Sequence, residues 1–356
     1  MTFEDRRKKA LEGVETDALL VTSPANVRYL TGFTGSNGQL LLSADSIFYT
    51  DGRYDEQSAT QVPDLPRRIY SASMKFSEVL AKDVADHGIS RLGVEAAHMT
   101  LAIEARLRKA LDGIEFVHTD GVVERVREVK DANEIAALRR AQKIAEDAVW
   151  SSVKAFTGGT ELDLALAIEW AMRTSGAEAV SFETIVASGA HSALPHAEPR
   201  NEKIDLDGVL LIDFGAKVDG YCSDTTRTWL GPQAPSELVK VHDAVVRALE
   251  AACAAVRPGV KCVDIDAAAR QSLERDGLAQ HFVHSTGHGV GLDIHEGPTL
   301  APGSEGTIEP GMMITVEPGV YLPGVGGVRV EDLLVVTQDG YENLTELARG
   351  PELPRG

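Results

Sequence analysis

Asp213, Asp224, His288, Glu317 and Glu331 follow one another in the C-terminal half of the chain. Each lies in or at the edge of a short apolar run: LLIDFG, YCSDTTRT, STGHGVG, TVEPGVY and VRVEDLL. Carboxylates are seldom taken out of water alone, because an uncompensated buried charge is very costly. Four carboxylates projecting from apolar strands therefore call for a cation. Oxygen ligands joined by one imidazole suit a hard or borderline divalent ion such as Mn²⁺. Too many charges converge for one ion, so the pattern reads as two metals bridged by carboxylates. Two ions roughly 3.5 Å apart can hold a bridging hydroxide and polarise a carbonyl at once, which is hydrolytic chemistry. Neither a GxxxxGK[ST] phosphate loop nor a GxSxG nucleophile elbow occurs.

Asp213 and Asp224 stand 11 residues apart across a turn at Asp219-Gly220. Paired antiparallel strands at that spacing bring two carboxylates to one face. The plainer reading of Asp213 is a cap on a turn at Gly215. His288 shares the run HSTGHGVGLDIHE with His284 and His295, and Gly287, Gly289 and Gly291 allow close backbone approach. A three-histidine zinc site is the competing reading, but the surrounding acids would overcharge one tetrahedral ion. By strand alternation Arg329 shares a face with Glu331. It could serve as the ion-pair partner of Glu331 or reach a substrate. Attack on an amide builds a gem-diolate that needs hydrogen-bond donors. His284, His295 and His196, the last held between Pro195 and Pro199, are candidates.

These residues need elements to position them. In the first third, strand-like runs over 17–22, 39–43, 46–50 and 91–95 alternate with helical patterns over 76–86 and 100–111, the latter capped by Thr100. A charged stretch, 124–134, leads into a long helix capped by Asp131 or Asn133, with Ile135, Leu138, Ile144, Ala145 and Val149 on its apolar positions. The expected division falls there, with an α/β domain over 1–126 and a second domain over 127–356. The second domain reads helix, helix, strands, helix, helix, strands. Its helices begin at Thr160 and cover 236–256 and 263–276, and its strands include 209–214 and 224–230. The repeated order predicts a pseudo-duplicated α+β domain.

The bulk properties narrow the function classes. The 356 residues suffice for two domains, with 43% hydrophobic and 25% charged residues as in ordinary globular chains. The net charge of −19 argues against nucleic acid or an anionic membrane as partner. Cys222, Cys253 and Cys262 are odd in number and lack CxxC spacing, so no disulfide framework or zinc-thiolate site follows. The start MTFEDRRKKALEG has no apolar core of a signal peptide. No run approaches the roughly 18 apolar residues of a membrane span. The expected location is cytoplasmic.

PHAEP, DFGAKVDGYCSDTTRT, HSTGHGVGLDIHE, ITVEPGVY and VGGVRVED stand in the order and spacing of a known family. Over about residues 130–350 the chain resembles the pita-bread-fold metallopeptidases, which include methionine aminopeptidases, aminopeptidase P and prolidase. The resemblance implies a pita-bread catalytic domain behind a smaller creatinase-like N-terminal domain. It implies a dinuclear site, commonly Mn²⁺ or Co²⁺ with Zn²⁺ as a further option, with Asp213, Asp224, His288, Glu317 and Glu331 as ligands. Asp224 and Glu331 would bridge the ions, Asp213 would bind one, and His288 with Glu317 the other.

His196, His284, His295 and Arg329 resemble the proline-specific branch, where such residues bind substrate and stabilise the tetrahedral intermediate. The resemblance also makes Glu317 the proton shuttle between the bridging water and the proline nitrogen, which as a tertiary amide carries no N–H. The N-terminal motifs NVRYLTGFTGSNG and TDGRYDEQ look like aminopeptidase P, although the chain is shorter than many of those enzymes and TDGRY could simply be a β-turn. The expected activity is release of the N-terminal residue from peptides with proline second. The alternative is a Xaa-Pro dipeptidase, which must capture a free proline carboxylate through Arg329, Arg53 or another basic residue. A non-catalytic peptide-binding module is the remote third reading. A homodimer is expected by analogy alone.

Overall fold

The computed structural model describes residues 1–353, so the last three residues of the domain expected over 127–356 lie outside the described residues. The chain divides into two compact units, Met1–Arg127 and Glu128–Gly356.

In the first unit the run ALLV forms β1 (Ala18–Val21), with every residue buried. It is central in a six-stranded sheet with β2 (Gly38–Leu42), β3 (Ile47–Asp51), β4 (Arg67–Tyr70), β5 (Arg91–Glu95) and β6 (Glu115–Thr119), ordered β4-β3-β2-β1-β5-β6. β1, β2 and β3 pair antiparallel, while β1–β5, β5–β6 and β3–β4 are parallel. The helices are α1 (Phe3–Leu11), α2 (Pro24–Thr31), α3 (Asp55–Gln61), α4 (Phe76–Asp86) and α5 (Leu101–Ala110). Leu80 and Val84 of α4 and Leu107 of α5 join Leu20, Leu41 and Tyr49 in one core. Thr100 caps α5 by accepting from the Ile103 amide at 3.3 Å. The TDGRY segment is a capped turn: Asp51 accepts from the Arg53 amide at 2.9 Å and holds the Arg53 guanidinium at 2.7 Å.

A short helix, α6 (Val122–Glu128), runs across the division. The second unit begins with α7 (Ala132–Ala155), closed by a capping box. Asp131 accepts from the Glu134 amide at 3.1 Å, and Glu134 accepts from the Asp131 amide at 2.9 Å. Next come α8 (Glu161–Thr174), β7 (Ala179–Val180), β8 (Ile185–Ser188), β9 (Val209–Phe214), β10 (Ala216–Val218), β11 (Tyr221–Cys222) and β12 (Thr225–Leu230). After α9 (Ser236–Ala255) and α10 (Cys262–Arg275) follow β13 (Gly287–Gly289), β14 (Glu296–Leu300), β15 (Met313–Val316), β16 (Gly319–Leu322), β17 (Gly326–Arg329), β18 (Asp332–Val336) and β19 (Tyr341–Asn343).

The two helix pairs cover different strands. Val149, Leu164 and Ile168 of α7 and α8 pack on Ile212, Phe214 and Trp229 of the β12-β9-β8 sheet. Val245, Leu249 and Leu273 of α9 and α10 pack on Ile314, Val316, Val328 and Leu334. The Asp219-Gly220 turn has φ of 51° and 85°, but it closes the small β10–β11 hairpin. That hairpin belongs to a different sheet from β9 and β12. Among the described residues no helix is long and apolar enough to cross a membrane.

Arg227 of β12 is fully buried and holds the C-terminal segment to the strands. It donates to the Leu347 carbonyl at 2.6 Å and to Asp332 Oδ1 at 2.9 Å. Without it Asp332 Oδ1 and the Leu347 carbonyl lose their donor, while Asp332 Oδ2 stays paired with Arg349. R227M is therefore expected to lower the unfolding free energy by about 3 kcal/mol or more, the penalty for several buried acceptors left unmet, read by denaturant titration of the full chain.

Candidate metal centre and substrate cavity

A cavity of about 620 Å³ in the second unit is lined by Asp213, Asp224, His288, Glu317 and Glu331 together with His196, His284, His295 and Arg329. Strand pairing places the acids. Asp213 stands opposite Thr226 in the β9–β12 register, and Asp224 immediately precedes β12. His288 is the centre of β13, at a register shift against β14. Here glycine is required on both sides. A Cβ on Gly287 would lie 2.0 Å from the Thr315 carbonyl oxygen, and one on Gly289 would lie 1.9 Å from that of Gly297. Glu317 follows β15 and donates its amide to the Thr286 carbonyl at 2.7 Å. Glu331 lies between β17 and β18, its amide 3.1 Å from the Thr226 carbonyl.

One ligand atom from each of Asp213, Asp224 and Glu331 falls within 4.8 Å of the others. His288 Nε2 is 3.6 Å from Asp224 Oδ2 and 3.4 Å from Glu317 Oε1. The His288 Nδ1–H donates to the Gly289 carbonyl at 3.0 Å, so the lone pair is on the Nε2 that faces the acids. Burial lowers the His288 pKa and keeps the ring neutral.

Electrostatically the acid cluster is under stress. Burial, then the charges of Glu331, Asp213 and Glu317, hold the Asp224 carboxyl well above its usual range. Burial, then Glu317 and Asp213, do the same to Glu331. Burial raises Glu317 to about 7. Two buried carboxylate oxygens, Asp213 Oδ1 and Glu331 Oε1, have no hydrogen-bond partner among the described residues. Their sister oxygens are held, Asp213 Oδ2 by Arg329 at 2.7 Å and Glu331 Oε2 by Thr226 at 2.8 Å. Each carboxylate is thus oriented by one oxygen and presents the other bare. Oriented acids and an imidazole lone pair form a donor set that fits divalent ions.

Arg329 is buried, and its ion-pair partner is Asp213 rather than the neighbouring Glu331. It also donates to Thr226 Oγ1 at 2.9 Å, to the Pro195 carbonyl at 3.1 Å and to Tyr321 Oη at 2.8 Å. Those contacts occupy four of the five N–H groups that arginine has. Tyr321 in turn donates to His284 Nε2 at 2.9 Å, and His284 Nδ1–H donates to the Ser285 carbonyl at 2.8 Å. Both ring nitrogens of His284 are therefore engaged, and burial, then Arg329, lowers its pKa to about 4. His196 and His295 are exposed to the cavity and make no side-chain hydrogen bond among the described residues. The His295 ring meets His288 edge-on with centroids 4.4 Å apart.

Sequence reasoning missed Tyr321 and Thr226, although both lie inside quoted motifs, EPGVY and SDTTRT. Their side-chain partners lie outside those motifs: Thr226 meets Glu331 105 positions on, and Tyr321 meets His284 37 positions back. It also missed the walls formed by Phe182, Ile185 and Ile294.

The chain matches the model for "Metallopeptidase family M24" over residues 136–338 and that for "Creatinase/Prolidase N-terminal domain" over residues 5–129. It is 39% identical over 331 residues to the "Uncharacterized peptidase YqhT" of Bacillus subtilis (strain 168), covering 92% of this chain and 93% of that one. A solved Xaa-Pro dipeptidase from Bacillus anthracis superposes with a TM-score of 0.95 at 35% identity, covering 99% of each chain. A solved X-Pro aminopeptidase from Thermotoga maritima MSB8 superposes with a TM-score of 0.89 at 35% identity, covering 96% of this chain and 98% of that one.

Proposed function

Since this chain belongs to metallopeptidase family M24, we propose that it is a dinuclear-metal Xaa-Pro aminopeptidase. Asp213, Asp224, His288, Glu317 and Glu331 would hold the two divalent ions, Mn²⁺ foremost. When bound, the ions would polarise the scissile carbonyl and activate the attacking water. The observation that carries this reading is the pair of bare, buried carboxylate oxygens on Asp213 and Glu331.

The chain's own residues supply the rest. Glu317, whose Oε1 lies 3.4 Å from His288 Nε2, would take a proton from the attacking water and return it to the proline nitrogen. The His196 and His295 rings, both facing the cavity, can each offer an N–H to the oxygen that gains charge. Burial, then His288 and His196, lowers the His295 pKa, in keeping with the neutral form. His284 orients Tyr321, and Arg329 orients Asp213.

Aminopeptidase is favoured over dipeptidase by the charge on the cavity wall. A dipeptidase must pair the free proline carboxylate. Arg329 is the one Lys or Arg among the lining residues, and its contacts are already made. Glu183, exposed at the same wall, suits the α-ammonium group of a peptide. The second reading, a Xaa-Pro dipeptidase, draws on the name of the Bacillus anthracis relative.

A matched pair, Xaa-Pro and Xaa-Pro-Yaa, incubated with Mn²⁺-loaded and metal-stripped protein separates the two readings. The tripeptide is expected to be cleaved about tenfold faster or more, the penalty for leaving a carboxylate unpaired. Cleavage of the dipeptide alone would establish the second reading.

A further inference from the structure

We propose that Glu161, which is outside the cavity lining, is a positioning residue that sets His196 by clamping both roots of the segment that carries it. The inference rests on the role given to His196 above. Glu161 opens α8 and is fully buried. At one root of the segment its carboxylate accepts from the Ser188 amide at 2.8 Å, from Ser188 Oγ at 2.8 Å and from His191 Nδ1 at 3.0 Å. At the other root it accepts from the Arg200 amide, Nε and Nη2, each at 3.1 Å. Between those roots run a single 3₁₀ turn, Gly189–Ala193, and the Pro195-His196 pair.

The middle of the segment is held from the other side. Ser192 Oγ accepts from the Gly327 amide at 2.9 Å, and the Pro195 carbonyl accepts from Arg329 at 3.1 Å. His196 itself is exposed to the cavity, so its direction is set by the backbone on which it rides. A helix, a buried anion and the Arg329 chain thus converge on a histidine that none of them touches through its ring. Burial alone would raise the Glu161 carboxyl, but the donors from Arg200 and Ser188 outweigh it and hold the group at about 2. The clamp is therefore an anion wherever the enzyme could work, and an amide cannot reproduce it. Its amide NH₂ cannot accept the hydrogen bonds that the second carboxylate oxygen takes.

The test compares the full-length, metal-loaded wild type with E161Q, H196A and the double variant on Xaa-Pro-Yaa peptides, alongside hydrogen exchange of the backbone amides over 189–200. E161Q is expected to lower kcat by about 10–100-fold, the range for residues that orient a site residue, with KM changed less than about threefold. The double variant should fall no further than H196A, because coupled residues do not add. Exchange over 189–200 should accelerate in E161Q while the metal content stays at the wild-type value. R200M removes the outer member of the same clamp and should shift kcat and exchange in the same direction. It decides the question if E161Q does not fold. Unchanged exchange in both variants would overturn the clamp. Accelerated exchange with losses that add fully to those of H196A would overturn the route through His196. Wild-type kcat in H196A would instead refute the role of His196, leaving the exchange result to decide the clamp on its own.

Discussion

D224N and E331Q are expected to lose roughly 10³-fold or more in kcat/KM, the equivalent of about 4 kcal/mol of transition-state stabilisation. Each swap keeps the side chain's size but removes a negative charge from the centre of the cluster. Asp224 is 3.6 Å from His288 Nε2 and belongs to the acid triad within 4.8 Å. Glu331 offers its bare Oε1 while Thr226 fixes Oε2 at 2.8 Å. An amide in either place turns an anionic donor into a neutral one and would weaken the hold on a divalent cation. Elemental analysis of dialysed protein should show the metal content falling with activity. Removing a buried, repelled carboxylate also relieves the metal-free fold. The two variants should therefore unfold at or above the temperature of the stripped wild type. Full metal content with wild-type turnover in either variant would remove Asp224 or Glu331 from the site.

E317Q is expected to cut kcat by about 10²–10⁴-fold, the usual worth of a positioned acid–base group. The argument differs from that for the acid triad. In the metal-free site burial raises the Glu317 carboxyl to about 7, so the pocket itself does not favour its charged form. Its backbone is pinned by the Thr286 carbonyl at 2.7 Å, and its Oε1 lies 3.4 Å from both Thr315 Oγ1 and His288 Nε2. Glutamine fits the same space and cannot carry the proton. If Glu317 moves protons, kcat should collapse while much of the metal is retained and KM stays within a few-fold. Metal loss in proportion to the activity lost would mean that Glu317 serves only as a ligand.

Parts of the first unit were hard to read from sequence for a plain physical reason. β1, buried throughout, is written as a continuous apolar run. β4 (RRIY) and β6 (EFVHT) were not anticipated, and they are the two edges of the sheet. Edge strands carry charge and break alternation because one side faces water, so their strand signal is weak. The caps were legible, as Thr100 and Asp131 show, since a cap acts within three residues of itself. The Asp219-Gly220 turn was legible too, but not the sheet it serves.

Legible in the chain alone were the donor types, their order, the glycines that let β13 approach its neighbours, and the helix pairs that back each set of strands. These are local properties: a residue type, a spacing of a few positions, an apolar period. Folding, by contrast, decided that Arg329 pairs with Asp213, 116 positions away, and not with Glu331 two positions away. It also decided that His284 is turned to Tyr321, that one oxygen of each key carboxylate is left bare, and that Glu161 grips both ends of the His196 segment. Such pairings depend on which strands and loops meet in space. Strand periodicity says which face a side chain takes, but carries no information about the partner waiting there.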